Sequence, residues 1–151
     1  MKTITVCQRK GGNGKSTSAL NLAHSFALSG LRVLLVDLDE QKNTTSAIAT
    51  DAMPPLTIEN LLIDSAVSVC DVAVPTLWDG ISLIAASSSL SGAVRELDGD
   101  VGSHLVLREK LAPCADAYDL CIIDTSPSLN ILVVNALVPV AGGDRESAGG
   151  L

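Results

Sequence analysis

The segment QRKGGNGKST, residues 8–17, constrains this chain more than any other stretch. It gathers three cations (Arg9, Lys10, Lys15), three glycines (Gly11, Gly12, Gly14) and two hydroxyls (Ser16, Thr17) into a single turn. What flanks it gives the turn meaning. KTITVC, residues 2–7, alternates and is β-branched, which predicts a strand. From Lys15 to about Ser29, Ala19, Leu22, Ala23, Phe26 and Ala27 recur at helical spacing, and Gly30 is placed to stop the helix. LRVLLVDLD, residues 31–39, is a continuous apolar run ending in aspartates, the pattern of a parallel strand covered on both faces. Strand, glycine turn, helix and strand within forty residues make a βαβ unit. The glycines allow a tight turn that presents successive N–H groups, and the following helix adds its positive end. This is a cradle for an anion.

The remainder predicts more of the same α/β architecture. Residues 40–55 read as loop with a helical turn at most, and Thr57–Leu62 as a short helix capped by Thr57 with Asn60 at its third position. Residues 63–80 carry no clear pattern. ISLIAA (81–86) reads as a strand, SSLSGAVREL (88–97) as a serine-capped helix, and Ser103 to Leu111 as a further helical piece. YDLCIID (118–124) reads as a buried strand ending on Asp124, and Pro127 is placed to open a helix running to about Leu137. Residues 1–138 thus form one domain with four predicted strands. The glycine-rich 139–151 lack the apolar content to pack and are expected to form a disordered tail.

Composition removes several function classes. Hydrophobic residues make up 47% and charged residues 18%, so the chain as a whole is expected to fold. The formal net charge of −7 opposes a globally basic nucleic-acid binder, and 2% aromatic content opposes a base-stacking surface. The four cysteines show no CxxC pair and no metal-ligand spacing with His24 or His104; Cys7 and Cys121, inside apolar runs, read as buried free thiols. No signal peptide is visible and no apolar run reaches the ~18 residues of a membrane span. The expectation is a cytoplasmic chain without a membrane partner.

Within the cradle, Lys15 is positioned for the β/γ-phosphates of a nucleotide and the Ser16 hydroxyl for Mg²⁺. Asp124, at a strand end, can accept a water of that ion. The common pattern GxxxxGK[ST] would require glycine at position 9, where this chain has Arg9. Lys10 directly precedes the paired glycines. Two lysines side by side repel each other unless phosphates lie between them, so Lys10 is assigned to the phosphates of a nucleotide held by a facing subunit.

KGGNGKST resembles the deviant Walker A motif of the ParA/MinD family of P-loop ATPases. Three further blocks match in order: VLLVDLDEQKNTTSAI (33–48) is similar to the family's DLDPQGNAT motif, LIAASSSLSGAVREL (83–97) to the strand and helix that follow, and YDLCIIDTSPSLNILVVNAL (118–137) to its Walker B strand and helix. The resemblance covers residues 2 to about 138 and leans toward partition proteins of plasmids and chromosomes. It implies a three-layer α/β/α P-loop NTPase fold with a mostly parallel sheet, ATP and Mg²⁺ as cofactors, and an ATP-dependent homodimer with a ParB-like activator. By the same resemblance Gly11, Gly12, Asn13, Gly14, Lys15, Ser16 and Thr17 hold the nucleotide. Ser16, Asp37 and Asp124 surround the metal. Lys10 and Lys15 neutralise the phosphates, and Asp39 orients the attacking water.

The chain departs from the family pattern at Glu40, where proline is usual, at Lys42, where glycine is usual, at Thr125–Ser126 before Pro127, and at Asn13, which replaces a small apolar residue. Family members usually continue for about a hundred residues beyond the NAL at 135–137. That part carries further strands, adenine contacts and, in partition members, the basic DNA surface, so DNA and nucleoid association stay open. A C-terminally truncated product is the expectation. Two readings therefore stand together: an active Mg-dependent ATPase switch in partition, and a non-enzymatic fragment with residual nucleotide or subunit binding. A small-molecule kinase is disfavoured because only Arg95 and Arg108 lie where an arginine-rich lid would be. An iron–sulfur carrier lacks the cysteine arrangement.

Overall fold

The computed structural model of the chain describes residues 1–8, 12, 14–50, 55–99 and 102–138. The tail expected at 139–151 lies outside the described residues. Five strands form one sheet in the order β1-β5-β2-β4-β3, with β1 Lys2–Val6, β2 Val33–Leu38, β3 Ala73–Pro75, β4 Ile81–Ile84 and β5 Leu120–Thr125. All neighbours pair parallel except β3 with β4. The helices are α1 Lys15–Leu28, α2 Asn43–Ile48, α3 Ile58–Ile63, α4 Val69–Val72, α5 Leu90–Leu97, α6 Val106–Leu111 and α7 Ile131–Leu137.

The period-two alternation of β2 divides the interior into two cores. Val33 and Leu35 face α1 and α2, packing with Ala19, Ala23 and Ile48; Leu34, Val36 and Leu38 face α3–α7, packing with Ile58, Leu61, Leu90 and Leu107. Every residue of β2 and β5 is buried, as expected of strands covered on both sides. The result is a three-layer α/β/α P-loop NTPase fold with a mostly parallel sheet. The crossover from β1 to β2 runs over one face and that from β4 to β5 over the other. The ends of β1, β5 and β2 meet at the sheet's carboxyl edge, where ligands of open α/β sheets bind.

Local chemistry accounts for most element ends. Gly30 adopts φ +85°, and its N–H donates to the Ala27 carbonyl at 2.9 Å while Leu31 N–H returns to Phe26, closing α1. Thr57 and Asn60 form the reciprocal capping box predicted for α3. At the amino ends of the strands, Arg32 makes a bidentate pair with Asp119 (Nη2–Oδ1 2.8 Å, Nε–Oδ2 3.1 Å), tying the start of β2 to that of β5. Asn135, 1% exposed, donates to the Ser103 carbonyl and accepts from Leu107 N–H, docking α7 on the segment before it.

Several expectations are corrected. Pro127 does not open α7; the helix begins at Ile131 because the Asn130 side chain caps it, accepting from Leu132 and Val133 N–H. Ser89 precedes α5 but its hydroxyl does not cap it, lying 3.3 Å from that of Ser87, which donates to Glu59. The piece from Ser103 starts as a 3₁₀ turn, Ser103–Leu105, before α6. The patternless region 63–80 holds α4 and the short antiparallel β3, too brief to show periodicity. Cys121 is buried, but Cys7 is exposed because β1 ends at Val6, one residue before it.

Leu35 is fully buried between β2 and α1, whereas Leu28 is 77% exposed at the end of α1. Leu35→Ala should lower the free energy of unfolding by about 2–5 kcal/mol. Leu28→Ala should stay within about 0.5 kcal/mol of wild type. Urea denaturation followed by circular dichroism measures both.

Candidate functional site

The parallel register of the three adjacent strands places Val6, Asp124 and Asp37 in one row: Val6 opposite Asp124 and Asp124 opposite Asp37. The chain therefore leaves β1 into the glycine turn beside two carboxylates. Both aspartates are fully buried, and Asp39, just beyond the end of β2, is 6% exposed. Gly12 and Gly14 adopt φ +78° and +79°, and a Cβ at either would meet nothing within 4 Å. Glycine is needed there for the left-handed backbone, not for space. Lys10, Gly11 and Asn13 lie outside the described residues. Lys15, Ser16 and Thr17 form the first turn of the 14-residue α1, whose N-terminus has no side-chain cap and no acidic residue in its first turn. That leaves the helix's leading amides and positive end for an external anion.

Each buried carboxylate is held by a hydroxyl from the start of α2. Thr45 donates both its N–H and its Oγ1–H to Asp37 Oδ2, each at 2.8 Å, and Asp39 N–H donates to Asp37 Oδ1 at 3.0 Å. Thr44 Oγ1 donates to Asp124 Oδ2 at 2.7 Å. Asp124 Oδ1 is buried without a hydrogen-bond partner among the described residues. Gln41 N–H donates to Asp39 Oδ1, and Lys42 adopts φ +55°, completing the turn between β2 and α2. A lysine in this left-handed conformation costs about 1–2 kcal/mol relative to glycine, which is usual at that position in the resembling family. Thr44 and Thr45 were not singled out from sequence. Their signal was two hydroxyls opening a helix directly after an aspartate-ended strand.

Electrostatics set the site's state without a cation. Burial pushes the Asp37 carboxyl up to about 6, helped by the charge of Asp124 and opposed by the Thr45 and Asp39 donors. Burial also raises Asp124, with Asp39 adding to it, while the Ser16 and Thr44 hydroxyls and the Lys15 ammonium act the other way. Ser16, Lys15, Asp39 and Asp124 thus share one electrostatic neighbourhood. Among the described residues no group of three or more His, Cys, Asp or Glu side chains forms a metal cage. Mg²⁺ needs none, since it keeps several waters and binds through one or two carboxylates plus phosphates. An unpartnered buried carboxylate oxygen, a nearby hydroxyl and an uncapped helix end fit a hydrated Mg²⁺ carried on phosphates. Beside Asp39 a groove of about 410 Å³ opens between the β2–α2 turn, α5 and residues 126–132.

A carboxyl whose folded pKa lies above its unfolded value stabilises the fold while protonated. The contribution from Asp37 is therefore present below about pH 4 and lost as pH rises through about 6. Against Asp37→Asn as reference, wild type without Mg²⁺ should lose about 2–3 kcal/mol of relative stability between pH 4 and 7. Urea titrations of both proteins at each pH would show it.

A family model described as an AAA domain matches residues 1–141. The chain is 40% identical over 136 residues to the chromosome-partitioning ATPase Soj of Treponema pallidum, covering 90% of this chain and 53% of that protein. It is 37% identical over 137 residues to the sporulation initiation inhibitor protein Soj of Bacillus subtilis, covering 90% and 54%. The cobyrinic acid a,c-diamide synthase of Mycobacterium smegmatis, solved with a bound ATP analogue and magnesium, superposes with a TM-score of 0.85 at 32% identity, over 91% of this chain and 56% of that one. The chain spans about half the length of the curated relatives it matches. Among the described residues no helix is long and apolar enough to cross a membrane. With four ordered sequence blocks folded around a single carboxyl edge, this chain belongs to the ParA/MinD family of P-loop ATPases.

Proposed function

We propose that the chain forms the nucleotide-binding part of a partition-type molecular switch that binds and hydrolyses Mg-ATP, with ATP drawing two copies together and hydrolysis releasing them. The observation that carries this reading is Asp124, fully buried with Oδ1 unpartnered among the described residues, in register with Asp37 and with Val6 at the end of β1. A buried carboxylate oxygen without a donor costs free energy that a bound cation would offset. Ser16 and Asp124, with Asp37 beside them, would hold Mg²⁺, and the ion would neutralise developing charge on the phosphates. The leading amides of α1 and the Lys15 ammonium would cradle the phosphates. Asp39, at the mouth of the groove, would orient a water rather than act as a strong base. Lys10 would add positive charge from the facing copy. The likeness to the Treponema pallidum chromosome-partitioning ATPase supports a role in chromosome segregation; a plasmid role and a ParB-like activator are carried over from the family resemblance.

A second reading, a non-enzymatic fragment with at most residual nucleotide or subunit binding, draws on β1. It stands at one end of the sheet with every residue at least partly exposed, and the Thr3 hydroxyl is buried without a partner.

Binding of a fluorescent ATP analogue, phosphate release and solution mass separate the two readings. Lys15→Ala should weaken Mg-ATP binding on the order of 100-fold, about 2.7 kcal/mol. Asp39→Ala should keep binding and slow phosphate release on the order of 100-fold. Lys10→Ala should bind ATP yet remain monomeric where wild type pairs. No phosphate release by the folded wild type, with weak Mg-ATP binding or none, would end the first reading and leave the second; phosphate release by wild type would end the second.

A further inference from the structure

The two carboxylates at the carboxyl edge are equally buried but unequally engaged. A carboxylate offers about four lone-pair sites. Asp37 has three in use: two on Oδ2, from Thr45 N–H and Oγ1–H, and one on Oδ1, from Asp39 N–H. Among the described residues Asp124 has one well-formed bond, from Thr44 Oγ1 to Oδ2, and its Oδ1 has none. The direction of the Thr45 bond is dictated by its other partner. Ala86 N–H donates to Thr45 Oγ1 at 3.0 Å, so the hydroxyl accepts there and its own proton must go to Asp37. Asp37 is thereby tied through Thr45 to Ala86, two residues past the end of β4, as well as to its own turn through Asp39.

We infer that Thr44 and Thr45 are positioning residues that divide the work of the two aspartates: Thr44 aims Asp124 so that Oδ1 faces the cation shell, while Thr45 commits Asp37 to anchoring the β2–α2 turn rather than to the metal. This rests on the reading that the site binds Mg-nucleotide. It goes beyond that reading by assigning the two threonines and by moving Asp37 from ligand to anchor. Both threonines are buried at the start of α2, and each spends its hydroxyl proton on an aspartate. Their effect on the site passes through the aspartates.

The test is the Mg²⁺ concentration that half-saturates binding of a fluorescent ADP analogue to the 151-residue chain, a readout independent of turnover. Thr44→Val keeps the side-chain shape but removes the hydroxyl; it should raise the half-saturating Mg²⁺ about 10-fold, with affinity in EDTA unchanged within about twofold. Thr44→Ser should return to within about twofold of wild type. Asp124→Asn should raise the requirement by more than about 30-fold, and Asp37→Asn by less than about threefold while lowering stability. Thr44→Val matching wild type, or Asp37→Asn matching Asp124→Asn, would overturn the inference. Should Asp37→Asn not fold, Thr45→Val takes its place and should change the half-saturating Mg²⁺ by less than about threefold; a rise equal to that of Asp124→Asn would overturn the inference. Wild type that binds nucleotide with no Mg²⁺ dependence would instead remove the underlying reading and the inference with it.

Discussion

The parallel pairing of β2 with β5 is the constraint on which everything else depends. It sets Asp37 and Asp124 side by side at the ends of two fully buried strands. Two carboxylates out of water in one place are costly, because each is desolvated and each repels the other. The fold tolerates them through donors of its own: the Thr44 and Thr45 hydroxyls, the Thr45 amide and the Asp39 amide. The hydroxyls come from α2, which is placed by packing Ile48 against the core under α1. A site of this kind is a consequence of sheet order, helix placement and loop chemistry acting together.

The two-faced core explains why the site is held firmly. Helices cover both sides of β2 and β5, so neither strand can shift register without turning its alternating side chains into the wrong core. A one-residue slip would also separate the two aspartates. Function and stability here draw on the same alternation. The turn after β2 is less economical: Lys42 sits in a left-handed conformation that glycine adopts without strain. The fold keeps that shape despite the residue change, since Gln41 N–H to Asp39 and Lys42 N–H to the Asp39 carbonyl close the turn around it.

Much of the architecture was legible from local pattern. The apolar runs ending in aspartates at 31–39 and 118–124 marked the central strands, observed at Val33–Leu38 and Leu120–Thr125, and Gly30 and the Thr57–Asn60 pair marked helix ends, because each acts through its immediate neighbours. Pro127 misled because proline is compatible with a helix start without determining one; the acceptor side chain of Asn130 determines it. Cys7 misled because an apolar run says nothing about where a strand leaves the core. β3 left no signal since three residues cannot show a period.

The sequence by itself determined that a glycine turn joins a strand to a helix carrying Lys15 and Ser16, and that aspartates close two buried strands. Those are statements about neighbours along the chain, which backbone sterics and side-chain alternation suffice to decide. Only the tertiary structure decided that β5 stands between β1 and β2, that Asp124 therefore meets both Val6 and Asp37, and that Thr44 and Thr45 reach those carboxylates from α2. Contacts between residues eighty positions apart depend on strand order, and strand order follows from how helices cover both faces of the sheet at once.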